Sequence, residues 1–135
     1  MSEDLQVEQD ITKDLLDRII SPVLGVREGA VESLAMSTED EDWRPNELIR
    51  QGGVDIIIAL LQEKNTHIVV SALDIIIAIG AAGEEEALIT GGVIDRLDQI
   101  QDHNDSLIRK KVQEALWLVV PEVEDVVTTK PQDDY

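Results

Sequence analysis

Cysteine and phenylalanine are absent from this chain of 135 residues, and only two tryptophans and one tyrosine supply aromatic side chains. The absence of cysteine excludes a disulfide scaffold, a thiolate metal site and a cysteine nucleophile. Without phenylalanine, the core has to be aliphatic, and isoleucine, leucine, valine and alanine are abundant. The acidic N-terminus does not resemble a secretory signal. Together with the lack of cysteine, this favours a cytoplasmic or nuclear protein.

Basic residues are scarce, because 11 lysines and arginines stand against 29 acidic residues, and the formal net charge is −18. Nucleic acids and anionic membranes bind basic surfaces, so neither is an expected partner. The longest apolar runs are also far shorter than the about 20 residues of a membrane span. Residues 1–43 carry 12 acidic and 3 basic side chains. These acids either keep the protein soluble or steer a basic partner onto its surface.

Apolar residues repeat along the chain with a period of about 40. The segment Gly52-Gly53-Val54 recurs as Gly91-Gly92-Val93, which is an offset of 39 in the numbering, and aliphatic residues align at the same offset. A weaker copy lies upstream, at an offset of 41 and then of 42; it consists of Leu15, Leu16, Ile19, Ile20, Val26, Ala30, Val31 and Leu34. Helical units of this length are typical of armadillo and HEAT arrays.

Local signals predict three helices in each complete unit. Pro45 suits the start of a short helix, and the paired glycines allow a bend before a second helix. Asn65 or Thr66, and Asn104 or Asp105, are candidate N-caps of the third helices. We expect the following residues to be buried: Ile58, Leu61, Ile68, Leu73, Ile76, Leu97, Ile100, Leu107 and Val112. Residues 1–120 form the predicted repeat domain, and 121–135 a flexible acidic tail.

Three segments carry a resemblance to armadillo repeats. Residues 47–54 (ELIRQGGV) and 87–93 (ALITGGV) resemble the junction between the first and second helices, and residues 26–35 (VREGAVESLA) resemble the third helix. The resemblance covers about residues 10–120, and residues 87–116 are most similar to the C-terminal repeats of importin-α. It implies an all-α fold, a right-handed superhelical solenoid of about three repeats.

The resemblance also implies a binding surface, because third helices line the concave groove of armadillo arrays. Importin-α grips an extended peptide with a tryptophan followed four residues later by an asparagine. In this chain neither column holds those residues, so recognition of a nuclear localisation signal in that manner is not expected. The positions of the two columns form the predicted partner-binding strip: Glu32, Met36, Asp74, Ala78, Gln113 and Trp117. Its acids and apolar groups favour a protein or peptide with lysine or arginine beside hydrophobic anchors. Trp117 could instead cap the end of the core.

No constellation for catalysis is evident in the sequence. His67 and His103 lie about one repeat apart, in turns where we expect them to be exposed, and they lack metal-ligand partners at the usual spacing. Glu84, Glu85 and Glu86 suit the first turn of a helix. The segment from Gly80 to Gly83 lacks the lysine of a phosphate-binding loop. We therefore expect no enzyme activity, no metal and no cofactor.

The leading hypothesis is a non-catalytic interaction module, an adaptor or scaffold that holds a partner on the concave third-helix surface. One alternative is a structural subunit or a fragment of a larger solenoid assembly. Another, by analogy of fold alone, is an armadillo-like chaperone cofactor. The sequence determines neither the partner nor the oligomeric state.

Overall fold

Three groups of helices follow one another along the chain in the computed structural model, which describes residues 2–120 and the side chains of residues 6–120. The predicted tail, 121–135, lies outside the described residues. The first unit contains α1 (Ser2–Ile19) and α2 (Leu24–Ser37). The second contains α3 (Asn46–Arg50), α4 (Gly53–Ala59) with a 3₁₀ turn (Leu60–Gln62), and α5 (Thr66–Ala81). The third contains α6 (Glu85–Thr90), α7 (Val93–Gln99) and α8 (Ser106–Val119).

The predicted order of helices within a unit is confirmed in the second and third units. Residues 2–120 contain helices and turns but no β-strand. Helices α2, α5 and α8 are the third helices, and they lie side by side, with α5 in contact with both of the others. The aliphatic core runs continuously through all three units. This is an α solenoid of about three repeats, as the sequence predicted.

The predicted N-caps identify where the third helices begin. Asn65 Oδ1 accepts a hydrogen bond from the backbone N–H of Ile68 at 3.1 Å. Asp105 Oδ1 accepts from the N–H groups of Leu107 at 2.8 Å and Ile108 at 3.2 Å. Each cap satisfies backbone donors that have no partner within the first turn of the helix. From Asn65 to Asp105 the numbering advances by 40, which is one more than the spacing of the glycine pairs in the sequence.

The glycine pairs show the same difference of one residue. Gly52 and Gly92 precede α4 and α7, and their φ values of 77° and 86° lie in the left-handed region that favours glycine. Gly91 therefore occupies the position of Gln51 rather than that of Gly52. A Cβ at Gly91 would lie 2.9 Å from Cδ1 of Ile58, so the end of that side chain would have to shift to admit any larger residue between the second and third units.

The shift of one residue explains one of the two errors in the predicted core. Leu107 is 47% exposed, because its counterpart in α5 is the exposed His67 and not the buried Ile68. Ile100, also expected to be buried, is only half-buried. The other seven residues of the predicted set are buried: Ile58, Leu61, Ile68, Leu73, Ile76, Leu97 and Val112.

Glu47 is the buried charged residue of the described chain, and it holds the side chain of Gln51, which links the second unit to the first. Its carboxylate accepts hydrogen bonds from Arg50 Nε at 3.1 Å and from Gln51 Nε2 at 2.6 Å. Gln51 Nε2 also donates to the backbone oxygen of Gln9 in α1 at 3.1 Å. The hydrogen bond from Arg50, and then that from Gln51, hold the pKa of Glu47 below its ordinary value.

Candidate partner-binding surface

Solvent reaches all six residues of the predicted strip. Each third helix contributes a pair of residues spaced i, i+4, which places the pair on one side of that helix. Met36 is 64% exposed and Trp117 is 82% exposed, whereas Asp74 and Ala78 are half-buried between neighbouring helices. The exposure of Trp117 excludes the alternative that it caps the end of the core.

The structure brings half of the strip together in one cleft of about 370 Å³ between α2, α5 and the start of α8. Glu32, Met36 and Asp74 line this cleft, whereas Ala78, Gln113 and Trp117 do not. Sequence reasoning missed the remaining lining residues, which include Glu28, Ala35, Glu39, His67 and Leu107. Glu28 could have been found, since it precedes Glu32 by one helical turn.

Some acidic side chains of the cleft form hydrogen bonds or ion pairs within the chain, and others do not. Asp74 Oδ1 accepts a hydrogen bond from Lys111 Nζ at 2.7 Å, and this ion pair links α5 to α8. Asp105 caps α8. Among residues 6–120, the carboxylates of Glu28, Glu32 and Glu39 have no ion pair or hydrogen bond. These three carboxylates therefore provide the available negative charge of the cleft.

On α8, the residues that belong to the strip depend on how this helix is aligned with α5 and α2. When the helices are aligned on their caps, Asn65 and Asp105, the counterparts of Asp74 and Ala78 are Glu114 and Leu118. Gln113 and Trp117 lie one residue earlier, which is a rotation of about 100° around the helix. Trp117 corresponds instead to Ile77, and through the first two units to Ala35, which lines the cleft. In this register the equivalent of Met36 and Ala78 on α8 is Leu118, and Trp117 lies beside that position.

The two histidines are in different environments. His67 is exposed and lines the cleft. His103 was expected to be exposed but is half-buried, because its Nδ1 accepts a hydrogen bond from the backbone N–H of Asp105 at 3.0 Å. Within residues 6–120, histidine and acidic side chains form no group of three that could hold a metal ion. In the same described part, no helix is both long and apolar enough to cross a bilayer.

Solved structures of designed armadillo repeat proteins resemble this chain throughout most of its length. A computationally designed protein for modular peptide recognition superimposes with a TM-score of 0.76, at 21% identity over 87% of this chain and 51% of that one. A designed protein in complex with the peptide (KR)4 has a TM-score of 0.72, at 20% identity over 81% and 46% of the two chains. The fold is that of armadillo repeats.

The chain spans about half the length of the solved structures it matches. No protein-family model and no curated protein sequence matches it. The likeness therefore concerns the armadillo architecture.

Proposed function

We propose that this armadillo domain is a non-catalytic adaptor or scaffold that binds an extended protein segment along the third-helix strip. The observation that supports this proposal is the cleft between α2 and α5, which is lined by the carboxylates of Glu28, Glu32 and Glu39 and by the exposed side chain of Met36. Repeat arrays commonly bind partners on such a surface, because stacked third helices form one continuous face.

The chemistry of the strip favours a partner with lysine or arginine beside hydrophobic anchors. Carboxylates attract basic side chains and accelerate the encounter in a salt-dependent manner. Met36 and Trp117 offer adaptable apolar contact, and exposed tryptophan is common at binding hot spots. The designed armadillo protein that resembles this chain was solved with a peptide of alternating lysine and arginine. Such a partner is available in the cytoplasm or nucleus, where we place the protein.

The Lys111–Asp74 ion pair assigns different roles to the acids of the strip. Because Lys111 already neutralises Asp74, a basic side chain of the partner gains little there unless it displaces the lysine. We therefore expect the basic groups of the partner to lie over Glu28, Glu32 and Glu39, and its apolar groups to lie over Ala78 and Trp117.

The proposed mode differs from that of importin-α, whose C-terminal repeats the sequence interpretation compares with residues 87–116. The positions of the tryptophan and asparagine columns hold Glu32, Met36, Asp74 and Ala78 on the first two third helices. In importin-α, a tryptophan followed four residues later by an asparagine grips an extended peptide. In this chain, charge and apolar contact would supply the affinity. Recognition would therefore depend on the side chains of the partner more than on its backbone.

Binding of a labelled peptide with the sequence KRLKRLKR tests the proposal. Its fluorescence anisotropy at about 50 mM salt should show saturable binding that weakens as salt is added. We expect Glu32→Lys to weaken binding at least about tenfold, equivalent to about 1.4 kcal/mol. Glu86→Lys is the matched control: it changes the net charge equally, but at an exposed acid of α6 outside the strip.

Amide chemical shifts locate the bound peptide. Shifts in α2, α5 and α8, with the indole N–H of Trp117 among them, would support the strip. Equal weakening by Glu32→Lys and Glu86→Lys would show attraction to net charge without a site. Shifts confined to α3 and α6 would place the interface on the first helices and overturn the proposal.

A further inference from the structure

Both buried side-chain polar atoms that lack a hydrogen-bond partner within residues 6–120 belong to arginines: Nε of Arg27 and Nη1 of Arg96. Arg27 and Arg96 line neighbouring clefts along one edge of the solenoid, where the turns precede the third helices. An N–H group that is shielded from water and has no acceptor is unfavourable, and such groups are rare in folded proteins. Their occurrence on one edge indicates a place where an acceptor from outside the chain would be stabilising.

Two successive junctions between units differ in how their arginine is compensated. At the first junction, Arg27 Nη2 donates to Glu63 Oε1 at 3.2 Å, and this ion pair joins α2 to the turn before α5. At the second junction, in the register of the caps, the counterpart of Glu63 is His103. The side chain of Arg96, on α7, forms no ion pair or hydrogen bond with the rest of residues 6–120. The second junction therefore contains an arginine without the acid that the first junction supplies.

The cleft at the second junction has a volume of about 800 Å³ and lies between the turn before α5 and the helix α7. Nitrogen donors predominate among its polar side chains: Gln62, Lys64, Arg96, Gln99, His103 and Asn104. His103 Nδ1 accepts a hydrogen bond from the N–H of Asp105 at 3.0 Å, so the proton of the neutral ring is on Nε2, which is a donor. A cleft lined by such donors suits an anionic ligand.

The acids beside these donors are engaged within the chain. Glu63 is paired with Arg27, and Asp105 Oδ1 accepts hydrogen bonds from two backbone N–H groups of α8. Three other acids of α7 and the following turn do not line the cleft: Asp95, Asp98 and Asp102. Lys64 is exposed and forms no ion pair within residues 6–120. Lys64 and Arg96 thus provide available positive charge in a protein whose net charge is −18.

We propose that this cleft, defined by Gln62, Lys64, Arg96, Ile100 and His103, binds an acidic segment of a partner protein. A carboxylate of that segment would accept hydrogen bonds from the guanidinium of Arg96 and would attract the ammonium of Lys64. Ile100 is half-buried and lines the cleft, so an aliphatic side chain beside the carboxylate would gain apolar contact. None of the five residues belongs to the third-helix strip or lines its cleft, so the inference does not depend on the proposed function.

The negative charge elsewhere in the chain is compatible with this contact. At physiological salt, exposed charges more than about 8 Å apart are largely screened from one another. An acidic segment in the cleft would therefore respond mainly to Lys64 and Arg96. Ile100 favours a peptide over free phosphate, because phosphate has no apolar surface to place against it.

Fluorescence anisotropy of two labelled peptides tests the inference: LEELEELE and its uncharged twin LQQLQQLQ. At about 150 mM salt, the glutamate peptide should bind at least about tenfold more tightly, because only its side chains form charge-assisted hydrogen bonds. Arg96→Met and Lys64→Met should each weaken its binding at least about fivefold. Arg44→Met is the matched control: it removes the same charge from an exposed arginine outside the cleft and should leave the affinity unchanged. Shifted amides should lie in residues 62–66 and 96–105.

Thermal unfolding separates binding from a structural role of Arg96. Methionine keeps an apolar stem and removes the N–H group that has no partner, so the melting temperature of Arg96→Met should not fall. A lower melting temperature would mean that the guanidinium supports the fold, and this would contradict the inference.

Other outcomes also contradict the inference. Equal affinity for the two peptides would show that the carboxylates are not recognised, and absence of binding would remove the acidic segment as the occupant. Equal weakening by Arg44→Met would show a response to net charge without a site. Amide shifts confined to α2 and α5 would place the peptide on the third-helix strip. The same shifts with inorganic phosphate at equal concentration would mean a general anion site. Circular dichroism confirms that each variant is folded.

Discussion

Leu73 has no exposed surface, and it lies on the face of α5 that packs against α8. Leu73→Ala removes three heavy atoms from this contact and leaves a cavity, so we expect it to lower the free energy of unfolding by about 2–5 kcal/mol. Urea denaturation followed by circular dichroism measures the change. Leu107→Ala is the control, because 47% of Leu107 is exposed and its truncation should cost about 0.5 kcal/mol or less. Equal losses would mean that the helix faces are misassigned.

Glu47 should make folding sensitive to acid. The hydrogen bond from Arg50 lowers the pKa of Glu47 in the folded chain, so the ionised form is favoured there. This stabilisation is fully present above the unfolded pKa, near the ordinary value of 4.5, and is lost as the pH falls through the folded pKa. Glu47→Gln should therefore lose less stability than the wild type between pH 5 and pH 3 in urea titrations. Equal acid slopes for the two proteins would contradict this role.

At the level of helices, the sequence indicated where the third helices begin, but it did not give the correct alignment of one unit with the next. The sequence offered Asn65 or Thr66 and Asn104 or Asp105 as caps, and the structure selects Asn65 and Asp105, whose side-chain oxygens accept hydrogen bonds from the first backbone donors of each helix. The offset of 39 came from the glycine pairs, whereas the two caps differ by 40 in the numbering. Consecutive isoleucines such as Ile76 and Ile77 match apolar partners at either offset. Only the observed contacts decide which one faces the core.

Two glycines on third helices should respond in different ways to the same substitution. Gly29→Ala should raise the free energy of unfolding of the isolated chain by about 0.5–1 kcal/mol, because a Cβ there meets no other atom within 4 Å. At Gly80 the new Cβ would lie 3.2 Å from Cβ of Leu118 in α8, so Gly80→Ala should give no gain or a loss. Thermal unfolding of both variants checks this, and a larger gain at Gly80 would contradict it.

For the molecule as a whole, the sequence predicted the solenoid, because unit order alone places α2, α5 and α8 next to one another. It did not predict the cleft. The Lys111–Asp74 ion pair and the lining residues Glu39 and Leu107 come from different helices and turns. Their proximity depends on how neighbouring units are rotated and translated, and no local pattern in the sequence encodes that geometry.

Salt should stabilise the whole chain. A net charge of −18 repels itself most strongly in the compact state, and added ions screen this repulsion. We expect the melting temperature to rise by several degrees between about 20 and 300 mM NaCl. A triple variant that changes Glu84, Glu85 and Glu86 to glutamine should show a smaller rise. A melting temperature that falls with salt would mean that ion pairs such as Lys111–Asp74 outweigh the repulsion.

The central position of α5 has a consequence for synthesis on the ribosome. α5 is the helix covered on both sides, and much of it is aliphatic. The side of α5 that packs against α8 can be buried only after residues 82–119, which include all of α8, have been added to the chain. At about 5–20 residues per second, one side of α5 remains uncovered for roughly 2–8 s in each nascent chain. During that interval Val69, Leu73 and Ile76 are available to chaperones and to other nascent chains, before the finished protein buries them.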